Sequence, residues 1–320
     1  MNLGIQIVSF GVMLTIAVIY FLNKHIKLLS TRLYTLYLSV SLFYSVFEGC
    51  TIYTLYHIDT IDPFINRLAH QLFIGSLVLI LMFLFIYIDI LTRKQKRYKL
   101  IEFIIRILPA LLSLVITAFG RIDYHIGSDG RYSYGPVVSM LYACLAVYAL
   151  WTIITVIRRR KSVPSHIMFT ALCGISGWII IGIVQVFNPT WLIESMGVSL
   201  MQLFIFLSVE NPHEYNDMDI SGALNRHAFE MMLKEWCENG KGFFVVTFTL
   251  ANSELLKNSV GVSEVYNILG WAALKLTTVL RSDYYHTSDN SISFIVKHKA
   301  CCEKLIRSGL PPRQFESPVT

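Results

Sequence analysis

Charged side chains are scarce in this sequence. Asp, Glu, Lys and Arg together make up only 15% of its 320 residues, whereas hydrophobic residues make up 54%. A water-soluble protein of this length does not cover so much apolar surface, so the composition excludes an ordinary soluble enzyme. No A-x-A-like cleavage site follows the first apolar stretch, which predicts that this stretch is kept as a membrane span rather than removed as a signal peptide.

Motifs that hold metals or nucleic acids are missing as well. The six cysteines include no C-x-x-C spacing, so the sequence predicts no zinc or redox centre and no bound cofactor. The formal net charge is +6, but the basic residues sit in short loops between apolar stretches. We therefore expect a lipid bilayer as the partner of this surface and no nucleic acid.

Long apolar runs, in contrast, fill the first two thirds of the chain. There are seven of them, and each is about as long as a bilayer's hydrocarbon core is thick. The sequence therefore predicts a multi-pass α-helical membrane bundle of seven transmembrane helices over residues 1–210. The predicted spans are 3–22, 33–55, 71–92, 101–119, 136–157, 167–187 and 191–209.

The loops between these spans alternate strictly in charge. The first, third and fifth loops hold twelve Lys and Arg residues, whereas the second, fourth and sixth hold three. Because positive residues close to membrane spans stay in the cytoplasm, this pattern predicts an outer N-terminus and an inner C-terminus.

Five polar side chains are predicted in the outer third of the membrane, where ionisable groups are costly and indicate a functional site. They form a possible small-molecule pocket that opens outward, with Glu48 as its leading member because it lies more than a turn from its helix end. The alternative is an interfacial belt that tolerates polar side chains. The five residues are Glu48, His70, Gln71, Gln185 and Glu194.

Two charged residues are predicted near the inner face, on consecutive spans. Asp89 and Arg106 are placed to form an ion pair. The alternative is that the Arg106 side chain extends to the lipid headgroups.

The chain changes character near Pro212. Helical spacing over 225–236 and 263–279 and strand-like runs over 243–250, 284–285 and 292–296 predict an α/β module in the order αβαββ. We predict this module over 211–300 and a tail over 301–320, where three prolines and no periodicity occur.

The start of this module resembles a known entry motif. Residues 221–229 read Ser-Gly-Ala-Leu-Asn-Arg-His-Ala-Phe, which is similar to the T-G-L-x-N-R-x-x-F opening of the GGDEF domain, the bacterial diguanylate cyclase fold. The first half also resembles, more loosely, the seven-helix sensor regions that precede such domains, through Tyr134-Gly135-Pro136 at the start of the fifth span.

The resemblance implies the fold but not the activity. The family binds two metal ions through acidic residues and reads guanine through Asn and Asp side chains, and metal-assisted phosphoryl transfer depends on those ligands. The turn that replaces the GGDEF motif, residues 288–292, has one acid where the family has two. The other replaced positions are Thr249, Ala251, Lys257, Asn258, Val265 and Tyr266.

The sequence therefore predicts a signalling protein of the bacterial inner membrane, with a seven-helix sensor and an incomplete, catalytically inactive GGDEF-like cytoplasmic module. Its expected partners are an unidentified small-molecule cue and either a second copy or another GGDEF protein. Two alternatives remain open: an active cyclase that converts two GTP to cyclic di-GMP, and a transporter or receptor-like bundle with a non-functional tail.

Overall fold

The computed structural model describes residues 3–93, 98–127, 130–161, 163, 165–188, 190–240 and 242–308. It forms two compact units. The first comprises 1–23 and 27–211, and the second comprises 24–26 and 212–320. The main boundary falls just before Pro212, at the point where the sequence changes character. The third-loop residues Lys94, Lys96 and Arg97 and the tail residues 309–320 lie outside the described residues.

The first unit is built from seven helices. Each follows an apolar stretch of the sequence, and the second and third are 28 and 30 residues long. The helices are α1 (Gly4–Leu22), α2 (Leu29–Tyr56), α3 (Pro63–Thr92), α4 (Leu100–Phe119), α5 (Pro136–Arg159), α6 (Ser165–Phe187) and α7 (Glu194–Ser208).

Six of these helices, α1 to α6, are long and apolar enough to cross a membrane. The helical membrane bundle expected from the composition is therefore consistent with the structure. Helix α7 was predicted as the seventh span over 191–209, but it has only 15 residues. At 1.5 Å per residue it is roughly 22 Å long, less than the hydrocarbon core of about 30 Å.

A β-hairpin joins α4 to α5 at one end of the first unit. Its strands are β1 (Asp123–Gly127) and β2 (Gly130–Tyr134), which pair antiparallel from Asp123↔Tyr134 to Gly127↔Gly130. The sequence analysis did not predict these strands. We call this end of the bundle, where α2 ends and α3 and α7 begin, the hairpin end.

Tyrosines dominate the centre of the first unit. Six of them are at most 2% exposed, and they pack with leucine and isoleucine side chains into one continuous core. Tyr87 on α3 donates a hydrogen bond of 2.9 Å to Glu210 Oε1, just beyond the end of α7. The six tyrosines are Tyr20, Tyr34, Tyr37, Tyr44, Tyr87 and Tyr148.

An ion-pair network ties three helices together at the end opposite the hairpin. Arg106 Nε on α4 lies 2.9 Å from Asp89 Oδ2 on α3, which confirms the predicted pair. Arg159 Nη1 on α5 lies 2.8 Å from Asp89 Oδ1, and the Tyr98 hydroxyl donates to Oδ2 at 2.6 Å. Asp89 is 1% exposed, so one buried carboxylate fastens α3 to both neighbouring helices.

The second unit is a three-stranded sheet with helices. Asn225 caps α8 by accepting a hydrogen bond from the Ala228 backbone N–H at 3.0 Å. The unit begins with a 3₁₀ turn at Pro212–Glu214. The other elements are α8 (Arg226–Glu238), β3 (Phe244–Thr249), α9 (Ser253–Val260), α10 (Val262–Leu280), β4 (Tyr284–Ser288), β5 (Ser291–Val296) and α11 (Lys299–Ser308).

The strand order of this sheet is β3-β5-β4, with both pairs antiparallel. The apolar stripe of α10 packs against one face, where Leu269 and Ala273 meet Ile292 and Phe294. The outer edge of β4 is occupied by Leu224, which exchanges backbone hydrogen bonds with Tyr284 and His286. No strand pairs with the outer edge of β3 in the part of the chain that the structure describes.

These elements follow the predicted αβαββ order, and the predicted second helix over 263–279 corresponds to α10. Helix α9 between β3 and α10 was not predicted. The predicted tail over 301–320 needs a correction, because residues 301–308 belong to α11. This helix was missed because its apolar face is short: among its described side chains, Cys301, Cys302 and Leu305 pack against the core of the unit.

Candidate functional site

A cavity of about 50 Å³ opens at the hairpin end of the first unit. Helices α2 and α3, the start of α7 and the hairpin strand β2 supply its walls. Three of the five predicted site residues lie in it, and the hairpin adds residues that the sequence analysis did not choose. The lining residues are Glu48, Thr51, Ile52, Leu55, Tyr56, His70, Phe73, Arg131, Tyr132, Ser133, Leu192 and Glu194.

Glu48 is the most deeply placed acid of this cavity. It lies two turns before the end of α2 and is only 4% exposed. Gln6 and Ser195 lie beside its carboxyl group. Its Oε2 atom has no hydrogen-bond partner among the described residues. A buried carboxyl oxygen without a donor is uncommon in folded proteins and calls for a partner from outside the chain.

Glu194 occupies the first position of α7, where the helix dipole favours a negative side chain. It is half-buried and also lines a second, smaller cavity of about 30 Å³. That second cavity is almost wholly apolar, with Leu77, Leu141 and Trp178 among its walls. Glu194 therefore stands where a polar cavity and an apolar cavity meet.

His70 and Arg131 complete the ionisable groups of the first cavity. His70 Nδ1 lies 2.9 Å from the Asn66 carbonyl oxygen. Because a carbonyl only accepts, Nδ1 carries the hydrogen and Nε2 of the neutral ring is an acceptor. Arg131 donates to the carbonyls of Leu55 and Tyr56 at 3.1 and 2.9 Å, and its guanidinium lies over the Tyr56 ring at 5.2 Å.

The other two predicted residues are engaged elsewhere. Gln71 Nε2 donates to the carbonyls of Thr117 and Ala118, where it closes the end of α4. Gln185 Oε1 accepts from the Ile193 backbone N–H at 3.1 Å and so supports the turn that leads into α7. Neither residue lines the cavity of Glu48, and both act as supports of its framework.

The second unit carries the positions at which the family resemblance places nucleotide and metal ligands. Thr249 ends β3, and the turn after β4 holds Asp289. Lys257 Nζ lies 3.4 Å from Asp289 Oδ2 and 3.4 Å from Glu254 Oε1. The one acid of this turn therefore faces a lysine side chain, which competes with a metal ion for it.

One cluster in the second unit has the composition of a metal site. Ligand atoms of Asp217, Asp219 and His286 lie within 4.8 Å of one another. Asp217 Oδ2 is 2.8 Å from His286 Nδ1, and Asp217 Oδ1 accepts from the backbone N–H groups of Asp219 and Ile220. Both oxygens of the central carboxylate are thus occupied by the protein, and the cluster is a structural hydrogen-bond network.

The charges of this pair act on each other's protonation. The hydrogen bond to Asp217 outweighs burial and raises the pKa of His286 above its usual value. Burial opposes ionisation of Asp217, but the hydrogen bonds from His286 and from the Ile220 backbone N–H hold the pKa of Asp217 below its usual value. Each group therefore favours the charged form of the other.

Comparisons of this chain with models of known protein families, with curated proteins and with solved structures found no match. The hairpin-end cavity, at about 50 Å³, has room for a group of a few non-hydrogen atoms. The hairpin-end cavity offers buried acceptors, aromatic walls and an apolar neighbour, and it offers no paired nucleophile and base of the kind that covalent catalysis requires.

Proposed function

We propose that this protein is a signalling protein of the bacterial inner membrane. In this proposal the first unit senses a small molecule from outside the cell at the hairpin-end cavity. The second unit is a GGDEF-like module in the cytoplasm that acts by binding and not by catalysis.

The hairpin-end cavity is the observation that carries this proposal. Glu48 and His70 are 4% and 2% exposed and come from two different apolar helices, yet they face one cavity together with Glu194. Ionisable groups inside membrane helices are expensive and are generally retained for function. Convergence of three such groups on one cavity supports ligand binding over a belt of interfacial residues.

The side of the membrane that the second unit occupies depends on α7. We propose that α7 and its flanking apolar residues form a seventh crossing, which together with the positive loops places the second unit in the cytoplasm. Support comes from its packing: Val198, Gln202 and Ile205 are all buried, and Gln202 Nε2 donates to Ser41 Oγ on α2 at 2.8 Å. A short span is accommodated by local thinning of the bilayer.

The contact of Lys257 with Asp289 supports a module without catalytic activity. Two-metal phosphoryl transfer needs several negative oxygen ligands close together. At the positions given by the resemblance, the described residues offer a threonine at the end of β3 and one acid that already contacts a lysine.

The test is a turnover assay on the full-length protein reconstituted in lipid vesicles. With GTP and Mg²⁺ present, we expect no cyclic di-GMP above the level of empty vesicles. Repeating the assay with the reversed-charge variant Lys257→Glu checks whether one added acid restores turnover, and we expect none. Formation of cyclic di-GMP by the unaltered protein would overturn the assignment of an inactive module and favour the cyclase alternative.

The open edge of β3 supports a second copy of the chain as the partner of the module. Residues 242–250 contain no charged residue and no proline, so none of the usual features that protect a sheet edge are present. Two copies that meet edge to edge would extend the sheet across a two-fold axis.

Substitution of Val245, which is 45% exposed on β3, tests this arrangement. We expect Val245→Lys to weaken association of the full-length protein in detergent at least tenfold, because it places like charges on both sides of the paired edges. Leu255→Lys, at a 70% exposed position on α9, is the matched control and should leave association unchanged. Equal effects of both variants in analytical ultracentrifugation would exclude pairing through β3.

A further inference from the structure

We propose that the hairpin-end cavity binds a protonated organic amine whose apolar body extends toward the second cavity. This inference rests on the proposed function only in taking this cavity as the sensing site. It adds the chemical class of the ligand, which follows from the balance of donors, acceptors and apolar surface around Glu48 and Glu194.

The first step is the balance of charge. Two carboxyl groups, Glu48 and Glu194, line the cavity. Arg131 is its one arginine or lysine among the lining residues described, and that guanidinium already serves two carbonyl oxygens and an aromatic ring. Two carboxyl groups thus share the cavity with one guanidinium that is already engaged, and a cation from outside would give them a counter-charge.

The second step is the balance of hydrogen bonds. Glu48 Oε2 is buried and has no hydrogen-bond partner among the described residues. In the neutral ring His70 Nε2 is an acceptor too. A ligand that satisfies these atoms must donate several hydrogen bonds, as a primary ammonium group does with its three N–H bonds.

The third step concerns the walls. Phe73 and Tyr132 line the first cavity, and aromatic faces attract a cation through their quadrupole. Glu194 is shared with the second cavity, whose surface is formed by residues such as Leu141, Leu145 and Trp178. An ammonium group bound near the two glutamates thus directs the apolar body of the ligand past Glu194, toward these apolar walls and the second cavity of about 30 Å³.

These three features separate the amine from other ligand classes. A carboxylate ligand would meet two acids of its own sign, and a sugar would leave the apolar second cavity unfilled. An alkyl alcohol fits the walls but supplies one donor and no charge. The structure therefore favours a compact aryl- or alkylamine over an acid, a sugar or an alcohol.

The test compares three probes of the same shape on purified full-length protein: 2-phenylethylamine, 3-phenylpropionate and 2-phenylethanol. Titration calorimetry is expected to show binding of the amine, at least tenfold weaker binding of the alcohol and no binding of the acid. Shortening the body from 2-phenylethylamine to ethylamine should also weaken binding at least tenfold, because the apolar cavity is then left empty.

Glu48→Gln keeps the shape of the side chain and removes its charge, and we expect it to lower amine affinity at least tenfold. Glu194→Gln, at a half-buried position that tolerates the change more easily, is expected to do the same. The control is Glu230→Gln on α8, whose carboxyl group is exposed and lines neither cavity. Melting temperatures of the free variants show that each one is folded.

Equal binding of amine and alcohol, or amine affinity unchanged in both cavity variants, would overturn the proposal. So would the absence of binding by all three probes together with hexylamine and choline. These results concern the ligand class alone, because a signalling protein with an inactive module still fails to make cyclic di-GMP whichever ligand it senses.

Discussion

The side chains of Asp217 and His286 are 69 positions apart in sequence and connect the start of the second unit to its sheet. Their contact of 2.8 Å joins the loop before α8 to strand β4. His286 Nε2 is buried and has no partner among the described residues. The stability of this contact therefore depends on the protonation of both groups.

We expect the second unit to be most stable between pH 3.8 and 6.5, the ordinary pKa values of the two groups. The raised pKa of His286 contributes stability that is complete below 6.5 and is lost as pH rises through the raised value. The lowered pKa of Asp217 contributes stability that is complete above 3.8 and is lost as pH falls through the lowered value.

His286→Gln tests this pH dependence. It should cost about 1.5–3 kcal/mol at pH 6, the range for hydrogen bonds to charged groups, and much less at pH 9. Hydrogen exchange of the β4 amides in the full-length protein, corrected for intrinsic rates, measures the difference. His213→Gln in the 3₁₀ turn is the control, and a pH profile of the His286 variant that parallels the unaltered protein would contradict the ion pair.

Helices α3, α4 and α5 depend on a single acid for their alignment at the end opposite the hairpin. The Asp89 carboxylate accepts hydrogen bonds from Arg106 and Tyr98 and forms an ion pair with Arg159, and its side chain is 1% exposed. Loss of one partner of a buried ion pair leaves the remaining charges without compensation, which is more costly than the pair is favourable.

Asp89→Asn is expected to lower the free energy of unfolding by about 3–5 kcal/mol. Glu230→Gln, which breaks the exposed pair with Arg226 on α8, should cost less than about 1 kcal/mol. Thermal unfolding of the detergent-solubilised full-length protein measures both. If the two variants unfold alike, Asp89 does not align the three helices.

The elements that the sequence predicted well are those with long or regular patterns. Helix α8, strands β3 to β5 and the six membrane-length helices fall close to their expected positions because each carries a sustained apolar period. The hairpin β1–β2 was missed because its glycines indicate a loop and its aromatic residues do not alternate with a clear apolar face. Helix α11 was missed for lack of a long apolar stripe.

The candidate site was predicted in part. Glu48, His70 and Glu194 stand out in the sequence because an ionisable residue in an apolar stretch is costly wherever it faces. Arg131 was not chosen, since its position depends on the hairpin. Gln71 and Gln185 form hydrogen bonds with backbone groups and do not line the cavity. The sequence does not distinguish them from the lining residues, because the direction in which a side chain points at a helix end depends on tertiary packing.

At the scale of the whole molecule, the count of crossings decides which side the second unit occupies. Six crossings would leave both termini on one side, whereas a seventh through α7 separates them. We expect a green fluorescent protein fused after Asn211 to fluoresce and an alkaline phosphatase fused at the same residue to be inactive. A phosphatase fused after Gly127 in the hairpin is the control and should be active. Activity after Asn211 would exclude the seventh crossing.

Helix α7 begins at a residue that lines two cavities and ends next to an acid that is hydrogen-bonded to α3. Glu194 is its first residue, and Glu210, two residues beyond its last, accepts a hydrogen bond from Tyr87. In the proposed sensing role, a ligand that moves Glu194 therefore acts through this one short helix on the hydrogen bond between Glu210 and Tyr87.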